Sequence, residues 1–411
     1  MEPVSAAFLA LVCVPAAACL VAAVVLWPRF AGRGVRPAAA RTGLLLASQA
    51  LLTASVVLLV NRYFVFYATW DDLLGGSTTN AKVRQVQPSR GAESAPSGPV
   101  HRVTTALGPK RRGHHRDPAQ DGRVDRLDVG GARSGLDGQA YVYLPPQYFQ
   151  PQYAGRRLPV VVLVPGGPSD AGTAWLRQAR LPEEAGAAGA TGHVQPMVYA
   201  MVRPVRGLVP GGRCLDLPGV AGGQAETFYA QDLPLALAAT YRLPQARAGW
   251  GVAGFGEGGQ CAARLAMLHS DRFSAAASLN GRFGLPADGP GTGARTVVKI
   301  GPRAGRPEKP AGDGDGAKPA PGDPYGGSEA YRLDDDLTWR LQHFPPPPVS
   351  VLAAAAAAGP DAQAATGFAA LAKPPMRVDK LLVPGAPATL GRWRHDLPAV
   401  LQWLSAHLRG E

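Results

Sequence analysis

The chain has 411 residues, enough for one large domain or two small ones with additional segments. Its 51 glycines and 40 prolines make up about 22% of the sequence, close to a low-complexity range, while 46% hydrophobic residues support a sizeable core. A formal charge of +12 on a chain with only 18% charged residues excludes a wholly disordered polyelectrolyte. It leaves nucleic acid or an anionic surface as classes of partner, to be decided by where the charge sits.

Two uncharged apolar runs come first, from about Ala6 to Trp27 and from Thr42 to Val60. Each approaches the ~20 residues that cross ~30 Å of hydrocarbon at 1.5 Å per residue. The leading Met-Glu-Pro-Val-Ser lacks the positive region of a signal peptide, and the first run is longer than such peptides use. Both are therefore expected to be retained transmembrane helices, within an anchor spanning 1–76. Arg29, Arg33, Arg36 and Arg41 lie between them with no acidic residue, which places that loop in the cytoplasm and everything after Val60 outside. Tyr63, Phe64, Phe66, Tyr67 and Trp70 follow as an interfacial belt would.

Residues 77–122 read as a disordered linker, rich in Ser, Thr, Pro and Gly, with eight Lys/Arg against three acids. The basic run Lys110, Arg111, Arg112, His114, His115, Arg116 has no interleaved aromatics, so the stacking part of single-strand recognition is missing and no nucleic-acid partner is expected. Contact with anionic lipid or wall polymer is one reading, and a merely solvated linker is the other. A second Pro/Gly-rich run, about 286–327, is expected to be a flexible insertion. Its Asp313-Gly-Asp-Gly is too short for a calcium loop, and neither metal nor cofactor is expected.

The folded domain is expected over 123–411. Leu158 to Val164 is a buried strand by length and β-branching, ending in Pro165-Gly-Gly-Pro. Met197 to Val202, Trp250 to Phe255, Ala275 to Leu279, Val349 to Ala354 and Val378 to Val383 read as further strands. Helical spacing marks Gln224–Tyr241, about Gly258–His269 and Trp393–Leu408. Strands alternating with helices imply an α/β class with a mainly parallel sheet covered on both faces. Of the four cysteines, Cys13 and Cys19 fall in the first span. Cys214 and Cys261 remain in the exported part, where they form either a disulfide or two separate buried thiols.

Gly254-Phe-Gly-Glu-Gly-Gly lies between a strand and a helix, where an α/β-hydrolase places its G-x-S-x-G nucleophile elbow. The block Trp250-Gly-Val-Ala-Gly-Phe-Gly-Glu-Gly-Gly-Gln-Cys-Ala-Ala-Arg-Leu-Ala, then His269-Ser-Asp-Arg-Phe-Ser-Ala-Ala-Ala-Ser-Leu-Asn-Gly, resembles the esterase D family, which includes secreted actinobacterial mycolyltransferases. Tyr141-Val-Tyr-Leu-Pro-Pro-Gln-Tyr-Phe is similar to that family's first strand, and Gln224-Ala-Glu-Thr-Phe to a segment before the elbow. The likeness runs from about Val124 to the C-terminus. It is greatest to actinobacterial members with N-terminal spans, and the Ala/Gly/Pro/Arg-rich composition suits such a source.

The resemblance implies an α/β-hydrolase fold, with an oxyanion loop at Gly166 and Gly167 and an oxyanion N–H at Glu257. It also shows what is missing. The family's serine maps to Gly256, and its histidine to Ala388, within Pro384-Gly-Ala-Pro-Ala-Thr-Leu. Asp361 is the carboxylate left to stand for the family's acid. An esterase needs serine, histidine and acid together, so two of three positions are empty. Substitutes are poorly placed: Cys261 reads as core or disulfide, Ser278 as structural, His193 and His269 as ordinary surface or helix-end residues, and His395 falls inside the following helix. The expected function is a membrane-anchored, extracytoplasmic, catalytically degenerate esterase-family protein that binds or scaffolds at the cell envelope, with envelope lipid or glycan as partner. The enzyme alternative is an acyl-ester hydrolase or acyltransferase using a displaced nucleophile. A third reading makes the basic linker the functional part.

Overall fold

A computed structural model of the chain describes residues 6–26, 35–64, 84–85, 98–109, 117–166, 173–205, 214–217, 223–284, 325, 328–385 and 389–411. Residues 1–82 and 83–411 form two separate compact units.

The first unit is a pair of packed helices, α1 (Ala6–Leu26) and α2 (Val35–Phe64). One described stretch, Thr42–Leu59, is long and apolar enough to cross a membrane, and it coincides with the second expected span. In α1 the described apolar stretch is the shorter Leu11–Ala22, so the two-span expectation is met at one helix. The expected loop is also shorter than foreseen. Arg36 and Arg41 belong to α2, because its Ala-rich first turns carry the helix outward past the apolar run. Of the aromatic belt, Tyr63 and Phe64 end α2, while Phe66, Tyr67 and Trp70 lie outside the described residues. Cys13 and Cys19 are unbonded.

The second unit is built on a ten-stranded sheet of order β1-β2-β3-β4-β6-β5-β7-β8-β9-β10. Its strands are β1 (Arg84–Gln85), β2 (Val100–Thr104), β3 (Arg123–Gly130), β4 (Asp137–Leu144), β5 (Val160–Val164), β6 (Val198–Val202), β7 (Trp250–Phe255), β8 (Ala275–Leu279), β9 (Ser350–Ala356) and β10 (Arg377–Val383). The five pairings from β6 to β10 are parallel; those from β1 through β4 to β6 are antiparallel. The helices are α3 (Pro118–Asp121), α4 (Ala174–Arg177), α5 (Leu181–Ala190), α6 (Ala225–Thr227), α7 (Leu233–Thr240), α8 (Glu257–Leu268), α9 (Glu329–Asp335), α10 (Leu337–His343), α11 (Pro360–Leu371), α12 (Leu390–Trp393) and α13 (Leu397–His407).

The run Val160 to Val164 shows how the sheet is covered. Successive side chains of a strand point to opposite faces. Val160, Val162 and Val164 accordingly join one core with Leu233, Leu237, Leu265 and Phe368. Val161 and Leu163 join another with Leu181, Trp393, Val400 and Leu404. Trp175, Trp250 and Trp393 are each almost fully buried in these layers.

Three expectations are corrected here. The linker does not run unbroken to residue 122: β2 pairs with β3 from Val100↔Val129 to Thr104↔Asp125, and Thr105 Oγ1 donates to the Val124 carbonyl at 2.7 Å. β3 would otherwise leave an open edge of N–H and C=O groups, and this five-residue strand covers it. The helix expected over Gln224–Tyr241 contains a π-helical turn at Phe228–Asp232. Asp232 at its end accepts hydrogen bonds from the Ser134 N–H (2.9 Å) and Ser134 Oγ (2.6 Å), tying the turn to the β3–β4 hairpin. The closing helix is interrupted between Trp393 and Leu397, where Pro398 opens a new helix at a first-turn position that tolerates its missing N–H. Almost all of the expected 286–327 insertion lies outside the described residues; Tyr325 is buried and its hydroxyl donates to Asp335 at 2.8 Å.

Candidate functional site

β7 runs straight into α8 through Gly256, and the sterics of three glycines define the turn. A Cβ on Gly254 would collide with the Gly258 backbone, and one on Gly258 would stand 2.7 Å from the Pro165 carbonyl oxygen. Small residues at both positions let the helix cross the strand ends in contact. A Cβ on Gly166 would stand 2.7 Å from the Phe255 carbonyl, so the segment after β5 also packs tightly against the elbow. Gly256 differs from all three. Its backbone lies at φ 59°, ψ −121°, and a Cβ there would meet nothing within 4 Å. The turn is thus a sharp strand-to-helix elbow whose central position is open, carries no side chain, and has a backbone conformation that would strain any residue with a Cβ.

The first four N–H groups of a helix have no intrahelical acceptor. Glu257 and Gly258 open α8, so their amides present donors and the positive end of a helix dipole beside the elbow. The Glu257 side chain is exposed. Gly167 and Ala388 lie outside the described residues, as do 206–213 and 285–324, which follow β6 and β8.

Asp361 sits half-buried in the first turn of α11, directly after β9, where a carboxylate stabilises the helix through its dipole. Cys214 and Cys261 are joined in a disulfide, which settles the two readings of the pair and removes Cys261 as a nucleophile. Ser278 is fully buried on β8, its Oγ filling the space beside Gly259 and Gly281. His269 caps α8 at the end opposite the elbow, about 18 Å away over 12 residues. His193 is exposed after α5, and His395 is exposed in the turn between α12 and α13.

A charged cluster that sequence reading passed over holds the far end of α8. Arg264, only 3% exposed, donates from Nη2 to Glu226 (2.9 Å) and Asp334 (2.8 Å), and from Nε to the Cys214 carbonyl at 3.2 Å. Glu226 also meets His269 Nε2 at 2.8 Å. Burial pushes the Glu226 carboxyl up, but the His269 hydrogen bond and the Arg264 charge outweigh it and hold the group below its ordinary range. Burial likewise disfavours the Arg264 cation, and Glu226, Asp334 and Asp335 more than compensate. The members of this cluster come from three separate segments, α6, α8 with its C-cap, and α9, so no local pattern announces them.

No protein-family model matches the sequence, and no curated protein matches it. Solved structures do resemble the fold. A ferulic acid esterase superposes with a TM-score of 0.51 at 15% identity, over 70% of this chain and 98% of its own. An S-formylglutathione hydrolase from Agrobacterium tumefaciens gives 0.50 at 13%, over 70% and 96%. With the sheet order and elbow above, these likenesses establish an α/β-hydrolase fold.

Proposed function

We propose that this chain is a membrane-anchored, extracytoplasmic member of the esterase D group whose elbow no longer supports serine chemistry, and that it binds or scaffolds at the cell envelope. The observation that carries the reading is Gly256: an elbow with nucleophile geometry and room for a side chain, but no hydroxyl. The sequence adds that 384–389, after β10, contains no histidine. A serine hydrolase without nucleophile and base retains only what binding and the oxyanion donors supply. The displaced-nucleophile alternative is weakened by the disulfide at Cys261 and the burial of Ser278.

What supports anchoring is the apolar helix stretch Thr42–Leu59, and what supports an exported domain is the excess of arginine before it. Envelope lipid or glycan is the proposed ligand class, with the basic segment near Lys110 meeting anionic lipid or wall polymer; the actinobacterial source follows from the sequence resemblance alone. The test is fluorophosphonate labelling of the purified chain, read by intact mass, beside hydrolysis of short-chain p-nitrophenyl esters. Neither adduct nor turnover is expected from folded protein. A stoichiometric adduct with turnover would overturn the reading, and peptide mapping would name the nucleophile.

A further inference from the structure

The segments that lead into the six parallel strands are 145–159, 191–197, 241–249, 269–274, 344–349 and 372–376. They form the face opposite the elbow, about 20 Å from it along β7 at ~3.3 Å per residue. Residues 408–411 join this face: the Arg409 N–H donates to the Ala248 carbonyl at 2.8 Å, and the Glu411 N–H to the Arg157 carbonyl at 2.9 Å. These seven segments carry seven Lys/Arg and two acidic side chains, Asp271 and Glu411.

The cations are held in place without being neutralised. Arg242 donates from Nη2 to the Tyr148 carbonyl at 2.8 Å and lies 4.4 Å over the Tyr148 ring. Arg247 donates to the carbonyls of Ser270 (2.7 Å) and Pro348 (2.9 Å), while Arg156 and Arg272 lie over the rings of Tyr153 and Trp250. Carbonyls and rings fix a guanidinium but leave its full charge. Among the described residues, Arg157 alone of the seven forms an ion pair, with Glu411 at 3.9 Å. Arg156, Lys373 and Arg409 are exposed.

What lies between the cations selects the partner. Phe344 is 49% exposed and opens the run Pro345–Pro348, and the side chains of Tyr148 and Tyr153 are half-buried beside the arginines. Cations around an exposed ring fit the headgroup layer of an anionic bilayer, where phosphates meet the guanidinium groups and the ring enters the interface. An acidic polymer would use the cations and leave Phe344 without a role. Six strands ~4.8 Å apart make the face about 24 Å wide from β6 to β10, room for several headgroups at once. Where Thr42–Leu59 crosses a membrane, as proposed above, a bilayer is within reach of the domain. We propose that this basic face docks on a bilayer containing anionic lipid and so turns the elbow away from the membrane. The inference rests on the proposed anchor and not on the chemistry of the elbow.

The test uses the full-length chain with Cys13→Ser and Cys19→Ser, so that a bimane dye reacts only at an added cysteine. That cysteine is Gln245→Cys on the basic face or His395→Cys at the elbow end, both exposed positions. Each labelled chain is reconstituted into nanodiscs bearing a headgroup nitroxide quencher, made of phosphatidylcholine alone or with phosphatidylglycerol added. The dye at 245 is expected to be quenched in the anionic discs at low salt, and to be free at high salt and in the zwitterionic discs. The dye at 395 should stay unquenched throughout. Arg156→Gln, Lys373→Gln and Arg409→Gln together remove three exposed cations, each worth about fivefold in the docking equilibrium. The triple variant should therefore dock about a hundredfold more weakly with its melting temperature unchanged. The basic segment near Lys110 is intact in that variant, so quenching at 245 that survives it belongs to the linker and overturns the proposal. No quenching in the anionic discs, equal quenching in both kinds of disc, or quenching at 395 overturns it too. So does binding of soluble poly(glycerol phosphate) by a chain that does not dock, which would assign the face to an acidic polymer. Insertion is read separately by size-exclusion chromatography of the discs, so a chain that fails to insert refutes the anchor, and the face is then read from quenching by discs met from solution.

Discussion

Replacing Gly256 by serine isolates backbone strain from steric conflict at the elbow. A Cβ at this position meets nothing within 4 Å, so no packing term is added, but φ 59° and ψ −121° are costly for any residue with a side chain. Such conformations cost about 1–3 kcal/mol each. For a domain of this size that corresponds to a drop in melting temperature of about 2–6 °C. Gly256→Ala should cost a similar amount, since Cβ is the source of the strain. Gly254→Ala should cost more, because its Cβ would strike the Gly258 backbone and force β7 and α8 apart. The assay is thermal unfolding followed by the fluorescence of the buried Trp175, Trp250 and Trp393. Gly256→Ser should also remain inactive towards p-nitrophenyl esters, because the segment after β10 supplies no histidine to take the proton. Equal losses for Gly256→Ala and Gly254→Ala, or no loss for Gly256→Ala, would refute the assignment of strain to one position and of close packing to the other.

The folded-state carboxyl of Glu226 titrates below its ordinary 4.5, so its contribution to stability is present above that value and is lost as pH falls through the lower one. The stability difference between wild type and Glu226→Gln, measured by urea denaturation, should therefore be largest near pH 6 and shrink below about pH 4.5; a difference independent of pH would remove the charge argument. The Cys214–Cys261 bridge closes a separation of 47 residues, for which chain entropy gives an upper figure of about 4 kcal/mol. Reduction, or Cys214→Ser with Cys261→Ser, should lower the urea midpoint accordingly, and an unchanged midpoint would show that the arginine cluster alone fixes this region. Deleting residues 1–82 should move the chain from the membrane fraction to the soluble fraction after expression, and retention in the membrane would locate the anchor elsewhere.

Much of the central sheet was legible in the chain. Trp250–Phe255 and Ala275–Leu279 were read to the residue, because continuous apolar runs bounded by glycine or by a helix end leave few alternatives. The elbow was legible too, since glycines spaced two apart between a strand and a helix carry a steric meaning of their own. The expectation that a serine and a histidine are replaced at Gly256 and Ala388 came from the sequence resemblance. Other features depended on residues distant in the chain. β2 is a strand because β3 offers it an edge, the π turn is held by a hairpin about a hundred residues earlier, and Asp361 is a helix residue because α11 begins there. The pairing of Cys214 with Cys261 and the three-segment charge cluster around Arg264 were decided by tertiary structure alone. Periodicity and turn chemistry act over a few residues, whereas a disulfide or a buried ion pair is made by segments that meet only when the sheet has formed.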